Sequence, residues 1–163
     1  MFNFNDFEES LKRKIKVDKN SLLFLCIGTS DVIWDSVGPV IGSYLKRYIS
    51  KEFVLGDVQN NIISMHDLMY YYPRIKDRFV IAIDSAMCSE NLSGEIFISD
   101  KPLVMGLGVN NNKGIVGDMS IKVAVSDSKK ITKKYVDNLA KVIAGEIAKF
   151  FKEKKGNYVK FVE

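Results

Sequence analysis

The chain reads Leu22-Leu23-Phe24-Leu25-Cys26-Ile27 near its start, an unbroken apolar run that stops at Gly28. A run this short, ended by glycine, is typical of a central β-strand that is covered on both faces. Residues 79–83, Phe-Val-Ile-Ala-Ile, form a second run of the same kind, and Asp84 follows it directly. Two such strands predict a sheet in the interior of an α/β protein.

Apolar residues at helical spacing lie between and around these strands. We expect amphipathic helices over residues 5–15, from Pro39 to about residue 50, from the capping-box pair Ser64 and Asp67 to about Tyr72, and over residues 131–154. Shorter strands are expected at residues 53–55, 94–99 and 119–125. Buried strands that alternate with helices predict a mostly parallel sheet with helices on both faces, in a single domain over residues 1–163.

Composition and charge exclude several classes of function. The 163 residues include 24 basic and 20 acidic side chains, and the net charge of +4 is too small a surplus to indicate a nucleic-acid binder. The longest apolar run is far short of a membrane span, the N-terminus has no secretion signal, and Cys26 and Cys88 form no disulfide framework. We therefore expect a cytoplasmic protein with no nucleic-acid or membrane partner. Nothing in the pattern indicates an oligomeric state.

Polar residues follow both central strands, where α/β sheets bind their ligands. Gly28 opens a loop that reaches Asp35, and Asp84 comes directly after the second strand. Ligands bind beyond the carboxyl ends of parallel strands. If the two strands are neighbours, both carboxylates face one crevice. Four further residues are expected to contact a substrate there, namely Thr29, Ser30, Trp34 and Ser85.

This pair of carboxylates allows more than one chemistry. Two carboxyl groups in an apolar-rimmed crevice cannot both ionise freely, so one can act as an acid and the other as a base in amide hydrolysis. The pattern requires no cofactor, but Asp35 and Asp84 could also hold a divalent metal such as calcium, magnesium or manganese. The structural alternative makes Asp84 a cap and Asp35 a loop residue that binds backbone N–H groups.

Further candidate residues lie later in the chain. Gly106 and Gly108 begin a glycine- and asparagine-rich loop whose N–H groups could stabilise an oxyanion, although a plain surface loop explains it equally well. Asp118 and Ser120 follow this loop and could form a third wall of the crevice. Lysines between residues 129 and 134 are either a solvated face or a docking point for an acidic partner.

Three segments, in order, resemble the YyaC-type sporulation proteins, which are related in pattern to the spore germination protease. The first combines Cys26-Ile27-Gly28-Thr29 with Trp34-Asp35-Ser36-Val37-Gly38-Pro39-Val40-Ile41-Gly42. The second is Ile81-Ala82-Ile83-Asp84-Ser85-Ala86, and the third is Val116-Gly117-Asp118-Met119-Ser120-Ile121. Their order and spacing fit this family over about residues 21–127.

The resemblance implies a three-layer αβα sandwich with a mostly parallel sheet, shared with the hydrogenase maturation proteases and of the phosphorylase/hydrolase-like type. Asp35 and Asp84 match the two aspartates that are regarded as the active-site carboxylates of the germination protease. The implied substrates are small acid-soluble spore proteins or another sporulation protein, in a sporulating cell or forespore. Nickel recognition is disfavoured, because the only histidine, His66, lies in the wrong segment.

The first loop departs from the family pattern. Ser30 stands where the family carries an aspartate, and Val32-Ile33-Trp34 make the loop apolar. The favoured hypothesis is therefore a sporulation-associated peptidase with a paired-aspartate site. The alternative is a non-catalytic sporulation factor that binds a peptide or protein in the same crevice.

Overall fold

The computed structural model describes residues 4, 6–105 and 114–154. The main sheet contains β1 (Leu22–Cys26), β2 (Val54–Leu55), β3 (Phe79–Met87), β4 (Ile96–Ser99) and β7 (Met119–Val125). A separate two-stranded sheet pairs β5 (Leu103–Val104) with β6 (Ile115–Val116). The helices are α1 (Phe7–Lys14), α2 (Val37–Tyr48), α3 (Leu68–Ile75) and α4 (Lys133–Glu153).

The main sheet has the strand order β2-β1-β3-β7-β4. β2, β1, β3 and β7 are parallel to one another, and only the edge strand β4 runs antiparallel to its neighbour. β1 lies next to β3, with Leu22 opposite Phe79 and Cys26 opposite Ile83. The predicted mostly parallel sheet is confirmed, and the two strands that carry the candidate site are neighbours.

Successive side chains of the strands point to opposite faces of the sheet, and each face forms its own hydrophobic cluster. One face packs against α1, α2 and α4, with Phe24, Ile83 and Ile121 in its core. The other face packs against α3 and the β5–β6 pair, through Leu25, Ala82 and Leu103. Helices therefore cover both faces of the sheet, as the pattern of buried strands predicts.

β3 is longer than the sequence predicts. The apolar run predicts an end at Asp84, but the strand continues to Met87 because its ladder with β7 runs on to the pair of Met87 and Val125. The ladder between β1 and β3 stops earlier, at the pair of Cys26 and Ile83. Asp84 thus lies inside β3, at the point where one neighbouring strand has ended and the other continues.

The loop after β1 is also shorter than the sequence predicts. A 3₁₀ helix, Ile33–Ser36, leads directly into α2, so Pro39 is the third residue of that helix and not the first. Two glycines hold this segment against the sheet. A Cβ on Gly28, whose φ is +152°, would lie 2.2 Å from the Asp35 carbonyl oxygen, and one on Gly38 would lie 2.0 Å from the Ile27 carbonyl oxygen.

α3 differs from the prediction at both ends. The N–H and hydroxyl of Ser64 donate to the Asp67 carboxylate at 2.9 and 2.7 Å, but the helix begins only after Asp67. The predicted end before Pro73 is wrong, since Pro73 lies inside the helix. Proline leaves the carbonyl four residues earlier without its helical donor. That carbonyl belongs to Met69, which is 86% exposed.

No helix in the described part of the chain is both long and apolar enough to cross a membrane.

Candidate active site

Asp35 is held over the end of β1 by backbone hydrogen bonds. The N–H of Thr29 donates to the Asp35 carbonyl at 3.2 Å, and the N–H of Asp35 donates to the Val32 carbonyl at 3.1 Å. Gly28 permits the close approach of the Asp35 carbonyl because it has a positive φ and no side chain. Any Cβ at this position would collide with that carbonyl. The 3₁₀ helix therefore places Asp35 beside the part of β3 that β1 leaves uncovered.

Asp84 and Ser85 occupy that uncovered part of β3. The N–H of Ser85 donates to Asp84 Oδ1 at 2.7 Å, and the Ser85 hydroxyl donates to Asp35 Oδ1 at 3.3 Å. Successive residues of a strand point to opposite faces. Ser85 accordingly points towards the α2 and α4 side, and Asp84 points towards the other face. One serine thus contacts both carboxyl groups, its hydroxyl on the α2 and α4 side and its N–H towards Asp84. Because the two carboxyl groups belong to opposite faces of β3, the single crevice expected from the sequence is not formed on one face of the sheet.

Burial raises the pKa of both acids, and the charge of Asp35 raises that of Asp84 further. Burial, with the negative charge of Asp35 as the second cause, raises the pKa of Asp84 to about 7. Burial also raises the pKa of Asp35, while hydrogen bonds from Thr29 and Ser85 oppose that rise by favouring its charged form. Near neutral pH, one of the two acids can therefore hold a proton while the other carries a charge.

The residues predicted to contact a substrate fall into two groups. Thr29 and Ser85 lie at Asp35 itself, as described above. Trp34 packs partly against the core and lines a groove of about 500 Å³ between residues 31–34 and the segment that joins β7 to α4. Ser30 lines a second groove of about 540 Å³, on the α2 side.

The two grooves meet at Lys133, which contributes to both. Trp34 lines one groove and Ser36 lines the other, so Asp35 lies in the chain between the two linings. The aspartates themselves line neither groove.

Asp118 and Ser120 do not lie beside the two aspartates. Asp118 precedes β7, and its carboxylate accepts a hydrogen bond from the Val80 N–H at 2.8 Å, near the amino end of β3. Ser120 is buried and donates its hydroxyl to the Lys101 carbonyl at 3.1 Å. The expected third wall of the crevice is thus not formed by these residues. The predicted oxyanion-binding Gly106 and Gly108 lie outside the described residues.

Lys122 is a charged neighbour of the site that is not among the residues predicted from the sequence. It lies opposite Asp84 in the register of β3 and β7, and its positive charge favours the ionised form of Asp84, lowering the pKa of that carboxyl. The signal for it in the sequence is a lone lysine in the otherwise uncharged strand Met119–Val125.

Two other predicted features lie away from the pair. Lys130, one of the lysines before α4, forms an ion pair with Glu90 at 2.5 Å. His66 is exposed in the turn before α3. Among the described residues, no group of three or more His, Cys, Asp or Glu side chains could hold a metal ion, so a metal at this site would depend on Asp35 and Asp84 with other ligands.

Sequence comparisons relate the chain to a known family and to a curated protein. A family model described as "Protein of unknown function (DUF1256)" matches residues 2–149. The "Uncharacterized protein YyaC" of Bacillus subtilis (strain 168) is 32% identical over 111 residues, which is 66% of this chain and 54% of that protein. The chain thus spans about half the length of this curated relative.

A solved structure matches most of the chain. It is a [NiFe] hydrogenase maturation protease, HycI, from Thermococcus kodakarensis KOD1, with a TM-score of 0.59 and 14% identity. The match covers 90% of this chain and 99% of HycI. At this identity the likeness shows the fold alone, and it confirms the hydrogenase maturation protease-like architecture.

Proposed function

The chain belongs to the family described as "Protein of unknown function (DUF1256)", and we propose that it is a peptidase that cuts a protein substrate with Asp35 and Asp84. The observation that carries this proposal is the contact of both carboxyl groups with Ser85, together with the raised pKa of each acid. A coupled pair of this kind supplies an acid and a base at the same pH.

The two acids have different roles in the proposed reaction. Asp35, whose charged form is favoured by Thr29 and Ser85, is the base that removes a proton from a water molecule. The resulting hydroxide attacks the peptide carbonyl carbon. Asp84, with a pKa of about 7, gives its proton to the departing amine, and the C–N bond breaks. The proton taken up by Asp35 then returns to Asp84 through solvent, which restores the pair.

The substrate is proposed to be a polypeptide and not a small molecule. Two grooves of about 500 and 540 Å³ lie on either side of the segment around Asp35 and share Lys133 in their linings, so an extended chain could contact both, whereas a small molecule would fill only one. Trp34 and the half-exposed Ile33 give the first groove an apolar wall. The motif resemblance makes small acid-soluble spore proteins the first substrates to test, with action in a sporulating cell or forespore.

The test uses the purified protein with a spore-protein substrate and with denatured casein. Asp35→Asn and Asp84→Asn should each abolish cleavage, because each removes one member of the acid–base pair. Asp100→Asn, at an exposed aspartate after β4, is the matched control and should cleave normally. Cleavage by both site variants at the wild-type rate would exclude this mechanism.

The apolar groove also supports a second candidate function, a non-catalytic factor that binds a peptide in the same place. Val32 and Ile33 are large apolar side chains with 38% exposure each, and both line the first groove, where they could contact apolar side chains of a peptide. Tight peptide binding without turnover would favour this candidate. Multiple turnover by purified protein would exclude it.

A further inference from the structure

Lys122 occupies an unusual place for a lysine. It is the only charged residue of β7, and the adjacent Ile121 and Val123 are fully buried. β7 lies in the interior of the sheet, between β3 and β4. Lys122 itself is half-buried, which sets it apart from its buried neighbours in the strand.

The register of the sheet brings Lys122 to Asp84. The two residues are opposite one another in the parallel β3–β7 pair, and Phe97 of β4 lies opposite Lys122 on its other side. Paired residues of neighbouring strands point to the same face, and neighbouring strands are about 4.8 Å apart. The ammonium group of Lys122 is therefore on the same face as the Asp84 carboxyl, one strand away.

Lys122 is not used in an ion pair with any described residue. The contrast is Lys46, a mostly buried lysine that forms an ion pair with the buried Asp57 at 2.5 Å. There the lysine fixes its partner as a carboxylate, and the pKa of Asp57 is lowered despite burial. Lys122 makes no such contact, and the carboxyl group of Asp84 can still hold a proton.

Three groups act on Asp84 besides burial. Asp35 opposes its ionisation from the 3₁₀ helix, whereas the Ser85 N–H in β3 and Lys122 in β7 favour it.

We propose that Lys122 is a positioning residue of the carboxylate pair: it stands opposite Asp84 on the same face of the sheet, and its positive charge assists the release of the Asp84 proton. This proposal rests on the proposed function, in which Asp84 is the acid. An acid is most effective when its pKa is close to the working pH. Without a nearby cation, Asp84 would hold its proton too firmly to donate it readily.

The test is a pH titration of the Asp84 side-chain carboxyl by carbon NMR, with Asp84→Asn to assign the signal. Lys122→Met should raise the pKa of Asp84 by about 0.5 to 1, because it removes a positive charge but keeps a similar length. Lys122→Arg keeps the charge and should leave that pKa close to the wild-type value. Lys141→Met, at an exposed lysine on α4, makes the same chemical change away from the site and should alter nothing.

Lys122→Gln serves as a second neutral variant, with folding of every variant checked by thermal melting. An unchanged pKa of Asp84 in folded Lys122→Met or Lys122→Gln would overturn the proposal. A purely structural role would lower the melting temperature without moving this pKa, and would count equally against it.

The carboxyl titration does not depend on turnover, so the two proposals fail separately. If the protein cleaves its substrate, the high-pH limb of kcat/KM should move upward in Lys122→Met along with the pKa of Asp84. A moved pKa in a protein that cleaves nothing would reject the peptidase and retain the role of Lys122. Normal cleavage with an unchanged pKa of Asp84 in Lys122→Met would retain the peptidase and reject the role of Lys122.

Discussion

The hydroxyl of Ser85 donates a hydrogen bond to the carboxylate of Asp35 at 3.3 Å, across a separation of 50 residues. The N–H of Ser85 also donates to Asp84 Oδ1. The sequence predicts a substrate contact for this serine, and the structure makes it the link between the two acids. Ser85 is therefore the residue through which the two aspartates are connected.

Ser85→Ala should impair the pair without unfolding the protein. Loss of the hydroxyl removes a donor that favours the charged form of Asp35, so the pKa of Asp35 should rise and kcat/KM at neutral pH should fall about tenfold. Unfolding in urea should show a loss of about 1 kcal/mol or less. Ser85→Thr keeps the hydroxyl and should retain most activity, and equal loss in both variants would contradict this role.

Asp84 should make the protein less stable as the pH rises. Its pKa lies above the ordinary value of 3.8 in the folded state, at about 7. Between about pH 4 and pH 7 the folded state therefore binds more protons than the unfolded state, and the free energy of unfolding falls with pH.

Asp84→Asn removes this titration, so it should flatten the stability curve and stabilise the protein by about 1–3 kcal/mol at pH 8. Urea unfolding at several pH values measures this. Asp100→Asn should follow the wild-type curve, and a wild-type slope in Asp84→Asn would show that Asp84 is not a buried acid.

A charge in the first groove should weaken substrate binding and leave the chemistry intact. Ile33 is 38% exposed in the groove wall, so Ile33→Asp should raise KM about tenfold with little change in kcat or melting temperature. Val142→Asp, at a side chain on α4 with 41% exposure, is the matched control and should leave KM unchanged. A wild-type KM in Ile33→Asp would exclude this groove from substrate binding.

Because Gly38 lies in close contact with the end of β1, any larger residue at this position should destabilise the protein. A Cβ there would lie 2.0 Å from the Ile27 carbonyl oxygen, so Gly38→Ala should cost about 3 kcal/mol or more and displace Asp35. A Cβ on Gly145, in α4, would meet no atom within 4 Å, and Gly145→Ala should stabilise the protein by about 0.5–1 kcal/mol. Similar melting temperatures for the two variants would contradict the packing described for Gly38.

Much of this fold could be predicted because buried parallel strands appear in the sequence as short, continuous apolar runs. The apolar runs at β1 and β3 and the apolar β7 indicate the interior of the sheet from the sequence alone. Asp35 and Asp84 are recognisable as candidates because they follow such runs. The length of each ladder cannot be predicted from the apolar pattern. β3 continues past Asp84 because β7 pairs with it there.

The errors at the site have specific physical causes. The order of the motifs places Asp118 in the crevice, but a residue that precedes a strand parallel to β3 must lie near the amino end of β3. Lys122 was missed because its importance depends on register, which pairs it with Asp84 through contacts between distant segments. The 3₁₀ helix at Asp35 depends on close backbone approaches at Gly28 and Gly38 that only the packed structure reveals.

The coupling between Asp35 and Asp84 is tested most directly by the pKa of the Asp84 carboxyl in Asp35→Asn, measured by carbon NMR. Removal of the Asp35 charge should lower that pKa from its wild-type value by about 1, while burial keeps it above the ordinary aspartate value. A pKa of Asp84 identical in wild type and Asp35→Asn would mean that the two acids do not form one site.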